Sequence, residues 1–88
     1  MTPEDVQALI ESNVPDATAT VGRPRGIEDD DHLAATVVSP AFKGKSLLDQ
    51  HELVYDALGE HMTEDIHAIE LSTYTPAEYE KQADDARN

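Results

Sequence analysis

Residues 65–79 read DIHAIELSTYTPAEY, a strand that runs directly into a helix start. His67, Ile69 and Leu71 alternate with Ala68, Glu70 and Ser72, the period-two pattern of a strand over 66–73 with Ile69 and Leu71 facing a core. Thr75-Pro76-Ala77-Glu78 then supplies a capping hydroxyl, a proline at the first helical position and an acid three residues after the cap. These signals predict a helix over about 76–85, and the ADDARN tail is expected to fray.

Upstream, Ser46-Leu47-Leu48-Asp49 resembles the same kind of cap, with Asp in place of Glu or Gln. A helix over about 46–60 follows, with Leu47, Val54 and Leu58 on one face and Leu48 and Tyr55 on the adjoining stripe. Residues 61–65 read as a connector or a single turn. The β-branched runs at 17–22 and 33–39 predict two strands, joined by a polar loop over 22–31 that holds four consecutive acids. SPAFKGKS reads as a turn-rich link, and Thr2-Pro3-Glu4-Asp5 opens a first helix over 3–12. The order is α-β-β-α-(turn)-β-α. Its expected class is α+β, a two-layer α/β sandwich in which helices pack on one face of a three-stranded mixed sheet. One domain over 1–88, with its core at about 3–82, accounts for the whole chain.

Charge is the most unusual property of the chain. Nineteen Asp and Glu oppose six Lys and Arg, a formal net charge of −13. Self-repulsion of this size opposes a compact state in dilute buffer and is screened by salt. The acids are spread along the chain rather than gathered in a tail, so the expectation is a halophilic, cytoplasmic protein; equal stability at millimolar and molar salt would refute it. There is no cysteine, which removes disulfides, thiol catalysis and any self-contained thiolate metal site. The N-terminal MTPEDVQALI lacks the basic and apolar regions of a signal peptide, and no run approaches the ~20 apolar residues of a membrane span.

The string VVSPAFKGKSLLDQHELVY, followed by IHAIELSTYTPAEYE, resembles the BolA family. The resemblance rests on Val38-Ser39, Phe42, Gly44-Lys45-Ser46, the helix through His51-Glu52-Leu53-Val54-Tyr55, Ile66-His67-Ala68, and Thr75-Pro76 ahead of Tyr79. It implies a KH-like (class II) fold and a monothiol glutaredoxin as partner, with a [2Fe–2S] cluster held between the two proteins. In that arrangement the glutaredoxin and glutathione bring thiolates and the BolA-like chain brings two further ligands. Carried onto this sequence, these are His67 of the Ile-His-Ala motif and His32, in the loop before the second strand.

Taken alone, a histidine at a strand start is more often exposed or hydrogen-bonded than a ligand. The resemblance favours the ligand reading for His67. His32 and His67 lie 35 positions apart, so they meet only if neighbouring parallel strands begin at the same sheet end. Neutral imidazole suits iron, and a chain without cysteine contributes to a cluster only if a partner supplies thiolate. Lys43, Gly44 and Lys45 are candidates for docking glutathione or the partner. His51 reads as a packed or capped helix residue and His61 as a solvent-facing one near a helix end.

The KH-like resemblance also raises a nucleic-acid-binding transcriptional regulator as the alternative. Arg23, Arg25, Lys43, Lys45 and His51 would then carry binding. Phosphate recognition depends on cations, and here Gln50 and Glu52 stand where the family commonly has arginines flanking His51. A G-x-x-G clamp is missing as well. No catalytic constellation is evident, so an enzyme is not expected, and alone the chain is expected to be a monomer or a weak homodimer.

Overall fold

The computed structural model describes residues 2–23, 32–59, 61 and 68–86. Helix α1 (Pro3–Asn13) opens with a complete capping box. Thr2 N–H donates to Asp5 Oδ2 and Asp5 N–H donates to Thr2 Oγ1, each at 3.1 Å. Val6 and Ile10 point one helical turn apart into the core, and Val14, just past the helix, is buried with them.

Strands β1 (Thr18–Gly22) and β2 (His32–Val38) pair antiparallel, with Thr18 opposite Val38 and Gly22 opposite Ala34. Along β2 burial alternates strictly: Leu33, Ala35 and Val37 are buried, while His32, Ala34, Thr36 and Val38 stay half-buried. Glu11 ties α1 to this sheet, its carboxylate accepting from Ala19 N–H at 2.9 Å. After β2 the chain makes a 3₁₀ turn, Pro40–Phe42, inside the segment that sequence marks only as a link. It drives Phe42 into the core, 1% exposed.

Helix α2 (Leu47–Leu58) is capped by Ser46, whose hydroxyl accepts from Asp49 N–H at 3.2 Å, and it ends at Gly59 with φ 57°. Strand β3 (Ala68–Tyr74) runs parallel to β2, so the sheet is mixed in the order β1-β2-β3. The strand is expected from residue 66; residues 66 and 67 lie outside the described residues. Helix α3 (Pro76–Ala86) starts at the predicted cap and runs on to Ala86, past the point where fraying is expected. Thr75 donates to Glu78 Oε1 at 2.9 Å through both its main-chain N–H and its hydroxyl.

Helices α1 and α2 cover one sheet face, and one cluster joins Val6, Ile10, Ala19, Leu33, Val37, Phe42, Val54 and Leu58. Ile69 and Leu71 pack against it from β3, partly buried, in the facing expected of them. Leu47 departs from expectation. It is 62% exposed although Val54 and Leu58 on its face are buried. Gln50 is bonded to Thr73, one residue from the end of β3, so the first turn of α2 extends beyond the sheet and finds no core to enter. Among the described residues no helix is long and apolar enough to cross a membrane.

The two box carboxylates make stability sensitive to acid. Main-chain hydrogen bonds from Thr2 and Thr75, followed by bonds from their hydroxyls, hold the Asp5 and Glu78 carboxyls below their ordinary values of 3.8 and 4.5. A carboxyl depressed in the folded state stabilises it fully above the unfolded value and loses that contribution as pH falls through the folded one. Melting temperature is therefore expected to drop as pH falls from about 5 through the carboxyl range. In Asp5→Asn with Glu78→Gln that part of the pH slope should vanish while both caps persist.

Candidate functional site

His32 is the first residue of β2, and its partner across the parallel ladder is Ala68, the first residue of β3. The two strands thus begin at one end of the sheet, as the two-histidine reading requires. His67 lies outside the described residues; it is joined covalently to Ala68. His32 shares the strand parity of Ala34 and Thr36, whose side is turned away from the buried Leu33, Ala35 and Val37. Two imidazoles and no thiolate make an incomplete donor set for an iron–sulfur cluster, one that fits only if another molecule completes it. Among the described residues no group of three or more His, Cys, Asp or Glu is placed to hold a metal ion.

The other candidates do not gather at this end. Lys43, Gly44 and Lys45 follow the C-terminal end of β2, where Ser39 N–H donates to Tyr74 O at 3.0 Å. Six strand steps separate Val38 from His32, about 20 Å at ~3.3 Å per residue. Arg23 sits at the opposite end, directly after Gly22, which pairs with Ala34. Arg25 lies outside the described residues. The described cations proposed for nucleic acid are therefore divided between two ends of the molecule rather than joined in one stripe.

His51 lies in α2, half-buried, and its Nε2 is buried with no hydrogen-bond partner, in keeping with a packed helix residue. His61 is half-buried and engaged with neighbours rather than solvent-facing, which corrects the expectation for it. Gln50 has a structural function that sequence did not signal. Its amide donates to Lys45 O at 2.9 Å and its carbonyl accepts from Thr73 Oγ1 at 2.7 Å, fixing the start of α2 to the end of β3.

The family model for BolA-like protein matches residues 6–78 of the chain. The SufE-like protein 1 of Arabidopsis thaliana is 38% identical over 60 residues, 68% of this chain and 16% of that protein. The DNA-binding transcriptional regulator BolA of Escherichia coli K12 is 37% identical over 57 residues, 65% of this chain and 52% of that one. The chain thus spans about half or less of the length of these two curated relatives. Among solved structures, that of a BolA homologue from Coxiella burnetii superimposes with a TM-score of 0.79 at 42% identity, covering 91% of this chain and 97% of the other. The match by family model, the sequence identities and the shared fold agree: this chain belongs to the BolA-like family.

Proposed function

We propose that the chain is a non-enzymatic partner of a monothiol glutaredoxin, sharing a [2Fe–2S] cluster with it in cluster assembly, cluster trafficking or iron sensing. The observation that carries this reading is the pairing of His32 with Ala68, which brings the two strand starts together next to the covalent neighbour of His67. His32 and His67 would supply imidazole nitrogens, and glutaredoxin and glutathione the thiolates that a chain with no cysteine lacks. When bound, the cluster supplies one-electron chemistry and a transferable cargo. The chain's own part would be to present His32 from the start of β2, with His67 joined to the first residue of β3.

The test is co-expression with a monothiol glutaredoxin in the presence of glutathione. A coloured heterodimer is expected, with visible bands that shift or fade in His67→Ala and, to a smaller extent, in His32→Ala. A colourless mixture, or a spectrum indifferent to His67, would refute the proposal.

A second reading, a nucleic-acid-binding regulator, draws support from the Escherichia coli relative, a DNA-binding transcriptional regulator. The separation of Arg23 from Lys43 and Lys45 counts against it here, because phosphate affinity grows with cations acting together along one backbone. Sequence-selective binding of a duplex at the protein's working salt would reverse this ranking.

A further inference from the structure

Three large apolar side chains stand exposed on α2: Leu47 at 62%, Leu48 at 69% and Tyr55 at 40%. Leu48 and Tyr55 are two helical turns apart and share one stripe, with Leu47 beside them at the helix start. Directly before them Lys43 and Lys45, both exposed, flank Gly44. Gly44 has φ 77°, a left-handed turn that favours glycine, and a Cβ there would meet nothing within 4 Å, so the main chain of the turn is open to approach. Only six Lys and Arg occur in the whole sequence, yet two of them fall within three residues here. Isolated exposed leucines are ordinary on protein surfaces; here two of them and Tyr55 stand beside two cations of a strongly acidic chain, a combination that offers a partner both apolar and charged contact.

We propose that residues 43–48 together with Tyr55 form a docking surface for a partner protein, on which a segment combining one or two carboxylates with apolar side chains binds. The ammonium groups of Lys43 and Lys45, beside the positive end of the α2 dipole, receive the carboxylates. Leu47, Leu48 and Tyr55 receive the apolar side chains. Polarity along the helix sets the direction. Asp49, Glu52 and Asp56 are exposed on α2 itself and repel acids there, so the acidic end of the segment lies over the lysines.

Charge separates this occupant from its rivals. A nucleic acid presents phosphates in series, and two lysines in a chain of net charge −13 offset few of them, while leucines contribute nothing to phosphate. A second copy of the chain would bring a further −13. Residues 43–48 follow the C-terminal end of β2, which lies about 20 Å along the strand from His32. The surface is thus a second contact, independent of whether the cluster reading holds.

The test uses the full ¹⁵N-labelled chain and three probes: a capped peptide of about twelve residues with glutamates followed by leucines, the same peptide with lysines for glutamates, and a thymidine oligonucleotide of similar length. The acidic peptide is expected to shift the amides of residues 43–48 and 55 alone. Its binding should weaken about tenfold in Leu48→Ser and in Lys45→Glu, both on exposed side chains, and should be unchanged in His67→Ala. Equal binding of the lysine peptide, oligonucleotide shifts at Lys43 and Lys45 without peptide shifts, or no change at these amides up to millimolar peptide would each overturn the proposal.

Discussion

Replacing Phe42 by alanine is expected to lower the unfolding free energy by about 3–5 kcal/mol. The reasons are local and can be checked one by one. Phe42 is the only phenylalanine of the chain, it is 1% exposed, and it lies in a core made otherwise of Val, Ile, Leu and Ala. The chain has no tryptophan and, among the described residues, no tyrosine belongs to the buried core, so the loss combines the transfer term with that of an unrelaxed cavity. A small domain commonly has only about 5–15 kcal/mol in total. The variant should therefore unfold at a much lower urea concentration with a similar slope. Phe42→Leu keeps much of the volume and should lose less than half as much. A loss under ~1 kcal/mol for the alanine variant would show that the 3₁₀ turn does not anchor the core.

That prediction bears on function because the 3₁₀ turn joins β2 to the segment that starts α2. If Phe42 leaves the core, residues 43–48 lose their support first, since Lys45 N–H donates to Phe42 O at 3.1 Å. The His32 end depends on different contacts, namely the ladder from His32 to Ala68 and its continuation through Leu33 and Ile69. The two candidate surfaces therefore stand on separate supports within one core.

The parts of this arrangement that sequence makes legible are those encoded by near neighbours. The Thr75/Glu78 box is local, three residues apart, and forms as read, while the Thr2 cap read at the first helix forms a full box with Asp5. Helical spacing at Val54 and Leu58 and alternation at Ile69 and Leu71 likewise give the faces turned to the core. What local pattern does not encode is where an element ends relative to its neighbours. Leu47 has the spacing of a core residue, yet it lies in the first turn of α2, whose Gln50 is bonded near the end of β3, and it is exposed. Gln50 looks like a surface residue until Thr73, 23 positions away, supplies its partner. For the candidate site, the parallel pairing of β2 with β3 is the decisive long-range fact, and the opposite placement of Lys43 and Lys45 follows from it. His67 lies outside the described residues, so its part in the site rests on the resemblance and on its bond to Ala68.

Ser39→Ala is expected to cost about 1–3 kcal/mol, because it removes two part-buried hydrogen bonds that a fully buried hydroxyl makes to the main chain, at about 0.5–1.5 kcal/mol each. Ser39 is 0% exposed. Its hydroxyl donates to Pro15 O at 2.6 Å and accepts from Ala41 N–H at 3.0 Å, while its own main-chain N–H donates to Tyr74 O at 3.0 Å. One side chain thus fastens the segment after α1 to the 3₁₀ turn, at the point where β2 leaves the ladder with β3. Alanine preserves the main-chain bond and the fold but removes the hydroxyl link between the Pro15 carbonyl and the Ala41 amide, which water replaces without tying the two segments together. Urea midpoints should fall with an unchanged slope; a loss no larger than about 0.5 kcal/mol would mean that both groups find other partners. The same variant also discriminates between the two ends of the molecule. Below its unfolding transition it should form the coloured glutaredoxin complex with the parent spectrum, since His32 lies about 20 Å away along β2. A displaced spectrum in Ser39→Ala would show that the two ends of the sheet are coupled, and the separation drawn between them would have to be given up.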